Sequence, residues 1–279
     1  MLLSRLRILV RWRRAWISLG ASFLLGLGLL FLPQFDVLGF EAAFAVAVLM
    51  PVVAGALGAG FRRSGLPQDR PWVSLLVLLV ASQVLVAVPL LLVAGNMIRA
   101  PICDPFEGLL FFLLLPAFSA AMAAVVGWFL ALCVRRSSVA LLLWLLVFLG
   151  SLAVVAWRFY APPAVSFFGP FFGQYPGVLY DTLVPVSSRL LTYRVTNLLE
   201  TGILLLAVAF GWDPALQRLC GWRLLRSRVA AFALLPAAGL AAVAYVYGPP
   251  LGHRTDTAYI ASRLGRLARG ESCDVWAPR

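Results

Sequence analysis

Lysine is absent from this 279-residue chain, and all 23 basic residues are arginine. That bias reads as coding preference and carries no mechanism of its own. Histidine occurs once, as His253, which excludes a two-histidine zinc motif of the HExxH type within the chain. No GxxxxGK[ST] loop is present, so ATP hydrolysis by that route is excluded. Cysteine occurs four times and never as CxxC. Charge is scarce: 12% of residues are charged and 62% are hydrophobic, against about 25% and about 45–50% in soluble domains. A soluble globule with a polar shell is excluded.

What is present is a series of long apolar runs. Crossing ~30 Å of hydrocarbon takes about 20 helical residues. Backbone groups in lipid must be satisfied within the segment, so such runs are helices. The expected fold is all-α, a polytopic transmembrane bundle of about seven spans. They lie near 15–32, 42–60, 72–95, 108–134, 138–157, 195–212 and 229–248, with a basic N-terminus over 1–14, an aromatic exterior loop over 158–194 and a polar tail over 249–279. A basic stretch before an apolar run also resembles a signal peptide. However, the first run is long for a signal core and no small-x-small cleavage site follows it. Within the second span, GALGAG sets Gly55 four residues from Ala59 and Ala56 four from Gly60. Small residues at that spacing let helices approach closely, inside the bundle or between copies. Asp104-Pro105-Phe106-Glu107 reads as a helix start with a capping aspartate, a first-turn proline and a capping-box glutamate. Pro51, Pro89, Pro116 and Pro236 fall inside spans, where proline frees a carbonyl and favours a kink.

The net charge of +12 does not point to nucleic acid, because the arginines sit between apolar runs; the expected partner is the lipid bilayer. With the N-terminus inside, fourteen arginines fall on cytoplasmic segments and four (Arg99, Arg158, Arg189, Arg194) on exterior ones. The remaining five lie in the tail, which counts little. This pattern predicts N-terminus in and C-terminus out. The segment from Asp213 to Arg228 reads as a short basic stretch lying along the bilayer surface.

The aromatic loop holds a near-repeat, Phe167-Phe168-Gly169-Pro170 then Phe171-Phe172-Gly173-Gln174, followed by Tyr175, Tyr180 and Asp181. Connections this long are often functional. Two readings stand: a cap over the outer face, or a re-entrant segment lining an entrance. Glu200 is the one carboxylate inside an expected span, with Tyr193 and Asn197 on its helix face. An acid at membrane depth is a candidate proton relay or cation site. With its span starting at 195, it lies about 8 Å from the outer end at 1.5 Å per residue, close enough to pair with Arg194 or Arg189. Ser82, Gln83, Ser119 and Ser151 also fall in spans, where bonding to neighbouring backbone is expected. His253 with Asp256 and a serine lacks a nucleophile elbow, so no catalytic residues are assigned. No cofactor and no metal site are expected. An oxidising exterior permits a Cys103–Cys273 bridge. In the tail, Tyr259, Ile260, Leu264 and Leu267 share a helical face, and Ser272 to Trp276 alternates like a strand.

The order CDPFEG (from Cys103), FFGxYPGxLYD (Phe171 to Asp181), RLLTYR (from Arg189) and a tail ending CDVWAPR resembles uncharacterised bacterial multi-pass membrane proteins. In some of these the membrane part resembles the portion that precedes an extracytoplasmic peptidase-like domain. The resemblance implies a membrane module without the protease, and the expected location is a bacterial cytoplasmic (inner) membrane. The expected function is a non-enzymatic membrane anchor or assembly module that contacts other membrane or extracytoplasmic subunits. The alternative is a transporter or permease subunit with a path near Glu200. An intramembrane enzyme has the least support.

Overall fold

A computed structural model describes residues 12–64, 70–102, 104–160, 167–177, 184–254, 257–269 and 274–277. Its long helices are α1 (Arg13–Leu29), α2 (Phe40–Ala59), α3 (Pro71–Asn96), α4 (Pro105–Cys133), α5 (Ser137–Tyr160), α6 (Ser188–Gly211) and α8 (Arg228–Val246). A short helix, α7 (Gly221–Arg226), precedes α8. Six of these helices, all but α1 and α7, are long and apolar enough to cross a membrane. The chain is therefore a predominantly helical membrane protein. Helix α1, at 17 residues, is ~26 Å long.

The core is the pair α2 and α4, because glycine lets their backbones touch. A Cβ on Gly127 would sit 2.1 Å from the Gly55 carbonyl oxygen, and one on Gly58 would sit 2.4 Å from that of Ala124. The small residues of GALGAG thus serve packing inside the chain. Trp144 of α5 closes over Gly55 and donates to the Val52 carbonyl at 3.2 Å. Around this pair α1 and α3 complete a dense half. The other half is bare. In its most apolar stretch α2 is 61% buried, whereas α5 is 17%, α6 is 22% and α8 is only 6%. Helix α8 packs chiefly on α6.

Proline and polar residues settle each other's backbone deficits. Pro89 has no N–H, so the Leu85 carbonyl lacks its helical donor, and the Ser22 hydroxyl of α1 donates to it. At Pro116 the α4 helix widens into a single π turn over Leu113–Ala117, a feature that often marks functional positions. At the start of α4 the Asp104 carboxylate accepts from the Glu107 N–H at 3.0 Å, as the sequence predicts. The Glu107 side chain does not close the box; it accepts from the Val186 N–H at 2.9 Å and ties the segment before α6 to α4.

The main differences from the sequence expectation lie at helix ends and in the central loop. Helix α5 continues to Tyr160. Helix α6 starts at Ser188, seven residues before 195, because Ser187 caps it by accepting from Leu190 N–H at 3.2 Å. The FFGP–FFGQ near-repeat is a hairpin, β1 (Phe167–Gly169) paired antiparallel with β2 (Gly173–Tyr175). Its turn drives Phe171 against Trp144 and Phe148 and Phe172 against Phe44. At the opposite end β3 (Trp212–Asp213) and β4 (Arg218–Leu219) form a two-residue ladder, and the Trp222 and Leu225 side chains of α7 stand 63% and 84% exposed. After α8 come α9 (Gly248–Leu251) and α10 (Thr257–Leu264). The tail helix stops at Leu264, and β5 (Arg266–Arg269) pairs antiparallel with β6 (Asp274–Ala277). Leu267 is therefore in a strand, not on the helix face predicted for it, and the terminal strand is paired.

Candidate functional site

Arg194 is the residue around which the hairpin end of the molecule is built. It sits on α6, 3% exposed. A guanidinium carries five N–H donors in a rigid fork, and all five are used. Nε donates to the Leu114 carbonyl at 2.7 Å. One terminal nitrogen donates to the Pro170 carbonyl and to Asn197 Oδ1, both at 3.2 Å. The other donates to the Leu115 carbonyl at 3.2 Å and to Ser119 Oγ at 2.8 Å. Leu114 and Leu115 lie in the π turn, so the arginine fastens α6 to carbonyls of the widened helix. Its face also rests on the Phe118 ring, 4.7 Å from the centroid. None of the five acceptors is a carboxylate. Gly173, at φ +90, is required beside it, since a Cβ there would lie 2.8 Å from the guanidinium.

Asn197 links this cation to the acid. Its Oδ1 accepts from Arg194, and its Nδ2 donates to Glu200 Oε2 at 3.3 Å. Arg194, Asn197 and Glu200 thus stand three residues apart on one face of α6. Glu200 has no cation within ion-pair distance among the described residues; it meets Arg194 only through the amide. Because α6 begins at Ser188, Glu200 lies about 18 Å along the helix, not about 8 Å. Its side chain is exposed, and it faces a cavity of about 280 Å³ between α5, α6 and α8.

The cavity has two ends. Glu200, Thr196 and Ser151 line one, with Tyr193 midway. Arg158 of α5, Arg254 and His253 line the end nearer the hairpin, and Phe168 and Pro170 of the hairpin cover it. Arg158 has no hydrogen-bond acceptor or carboxylate partner among the described residues. The Arg254 guanidinium lies over the Tyr245 ring at 4.6 Å. His253 is held by packing: Nε2 is 2.8 Å from Thr192 Oγ1, and the ring contacts Phe168 and Tyr193. Burial pushes its pKa below the ordinary imidazole value, and a hydrogen bond to the Arg189 backbone opposes part of that shift.

Of the residues singled out by sequence, Tyr193, Asn197 and Glu200 come together here. Tyr175 does not. It stacks on Phe167, tilts against Phe44, and lines a second, apolar cavity of about 410 Å³ along α5. Tyr180, Asp181, Cys103 and Cys273 lie outside the described residues, as does the proposed bridge; Cys133 and Cys220 are free thiols. Ser82 and Ser151 bond carbonyls of their own helices. Ser119 instead accepts from Arg194, and Gln83 donates to Ala117 across to α4. Among the described residues no three His, Cys, Asp or Glu side chains cluster as metal ligands. The sequence reading missed Arg194 by placing it in the exterior loop. The available signal was the three-residue spacing of Arg194, Asn197 and Glu200, which only a helix starting before 194 makes meaningful. No protein-family profile, curated protein or solved structure matches this chain.

Proposed function

We propose that the chain is a solute-binding membrane protein of the transporter or permease-subunit type, with its binding cavity between α5, α6 and α8. The observation that carries the reading is Glu200. An exposed carboxylate about 18 Å along a spanning helix is costly against hydrocarbon, so its open side faces water or a ligand. The lightly packed α8, with Pro236 inside it, is the element whose displacement would open the cavity. In this reading seven helices cross, α1 included, and the basic loops are cytoplasmic. The hairpin and the arginine end of the cavity then face the exterior of a bacterial cytoplasmic membrane. The test is stopped-flow light scattering of proteoliposomes exposed to a panel of small polar solutes. At least one solute is expected to cross faster than in empty vesicles, and Glu200→Gln is expected to abolish that flux. Flux equal to that of empty vesicles for every solute, or flux untouched by Glu200→Gln, refutes the reading.

A second reading, the non-enzymatic anchor or assembly module, is favoured by the bareness of α8, only 6% buried. It predicts co-purification with a stoichiometric membrane or extracytoplasmic subunit and no flux.

A further inference from the structure

The cavity carries charges of opposite sign at its two ends. The end nearer the hairpin holds two guanidinium groups, Arg158 and Arg254, on different elements, neither with a carboxylate partner among the described residues. The other end holds Glu200, whose hydrogen bond comes from Asn197. Helices α5 and α6 run antiparallel. Glu200 is seven residues below Tyr193 on α6, and the α5 part of the lining runs from Gly150 up to Arg158. At 1.5 Å per residue the two charge levels are ~10 Å apart. That spacing explains why the acid and the arginines do not neutralise each other directly. Between them the lining includes the Ser151, Thr196 and Tyr193 side chains.

We infer that this cavity is a binding site for a small zwitterionic solute, its anionic end on Arg158 and Arg254 and its ammonium end on Glu200. The inference rests on the solute-binding reading above and names the class of solute. A simple anion would satisfy the arginines but leave Glu200 without a counter-charge. A simple cation would satisfy Glu200 and leave two guanidinium groups without one. A lipid would set its hydrocarbon against the carboxylate, which is unfavourable. A volume of about 280 Å³ also sits at the small end of ligand pockets, which run from about 300 Å³ upward.

The experiment uses the full chain in detergent and a series of ω-aminoalkanoates of increasing length, with hexanoate and hexylamine as single-charge controls, followed by isothermal titration. The expected result is saturable binding with an optimum at intermediate chain length. Each single-charge control is expected to be about tenfold or more weaker. Glu200→Gln should remove the advantage of the zwitterion over hexanoate. Arg158→Gln and, independently, Arg254→Gln should weaken both. All three side chains line open space, and wild-type unfolding temperatures are the control for folding. No saturable binding by any member, equal affinity for zwitterion and single-charge controls, or no dependence on chain length overturns the inference. These wild-type comparisons need no variant to fold. Flux without zwitterion binding removes this inference and leaves the permease reading; zwitterion binding without flux does the reverse.

Discussion

Replacing Arg194 by lysine keeps the charge and changes the geometry. Lysine offers three N–H donors on a flexible stem where arginine offers five in a plane. Five acceptors are now satisfied: the Leu114, Leu115 and Pro170 carbonyls, Asn197 Oδ1 and Ser119 Oγ. At least two of them lose their donor in Arg194→Lys, in a site where the native side chain is only 3% exposed. Each buried acceptor left bare costs roughly 1–3 kcal/mol, so the expected loss is ~2–6 kcal/mol. Arg194→Met removes the arginine donor from all five and should be worse. Because Pro170 is in the hairpin turn and Phe171 packs edge-on to Trp144 at 5.1 Å, hairpin release should appear in tryptophan emission before global unfolding. The assay is reversible denaturant unfolding in mixed micelles, followed by fluorescence and circular dichroism. If Arg194→Lys unfolds within about 0.5 kcal/mol of the wild type, the change is no larger than an ordinary surface substitution, and the account of Arg194 as the fastening of α4, α6 and the hairpin fails.

Gly127→Val should prevent stable folding, because its Cβ would lie 2.1 Å from a backbone oxygen that cannot move aside; the check is loss of a monodisperse peak in size-exclusion chromatography, and a well-folded variant would show that α2 and α4 can separate at little cost. His253 predicts a pH effect. Its pKa is lowered on folding, so its contribution is complete above the ordinary imidazole value of about 6.5 and is lost as pH falls through the lower folded value. Amide exchange of residues 247–254 should therefore accelerate on acidification, and His253→Gln should flatten that dependence; identical pH profiles in both proteins would refute it.

How much of the site could be read from sequence depends on where α6 begins. The face bearing Tyr193, Asn197 and Glu200 follows from helical spacing alone, and so does the candidacy of Glu200. Hydropathy rises only after Arg194, so the sequence pattern alone leaves it in an exterior loop. The cap at Ser187 draws seven further residues into the helix and turns a loop arginine into a buried one. Likewise Pro116 was visible as a disturbance in the fourth span. Its use, carbonyls offered to an arginine about eighty residues away, involves a long-range partner that no local pattern names. His253 stood in a tail without assignment until the turn after α9 set it against Thr192 and Phe168.

By itself, the sequence determined the solvent and the long helices. Long apolar runs with few charges demand helices in lipid, since an unsatisfied backbone there is too costly. Arginine placement supplied an expectation of orientation, and the capping residues at Asp104 supplied a helix start. Tertiary structure decided which small residues face one another, which half of the bundle is dense and which is open, and that Glu200 looks into a cavity with arginines at its other end. These are consequences of distance in three dimensions between helices remote in sequence, and periodicity along one helix carries no information about the neighbour it meets.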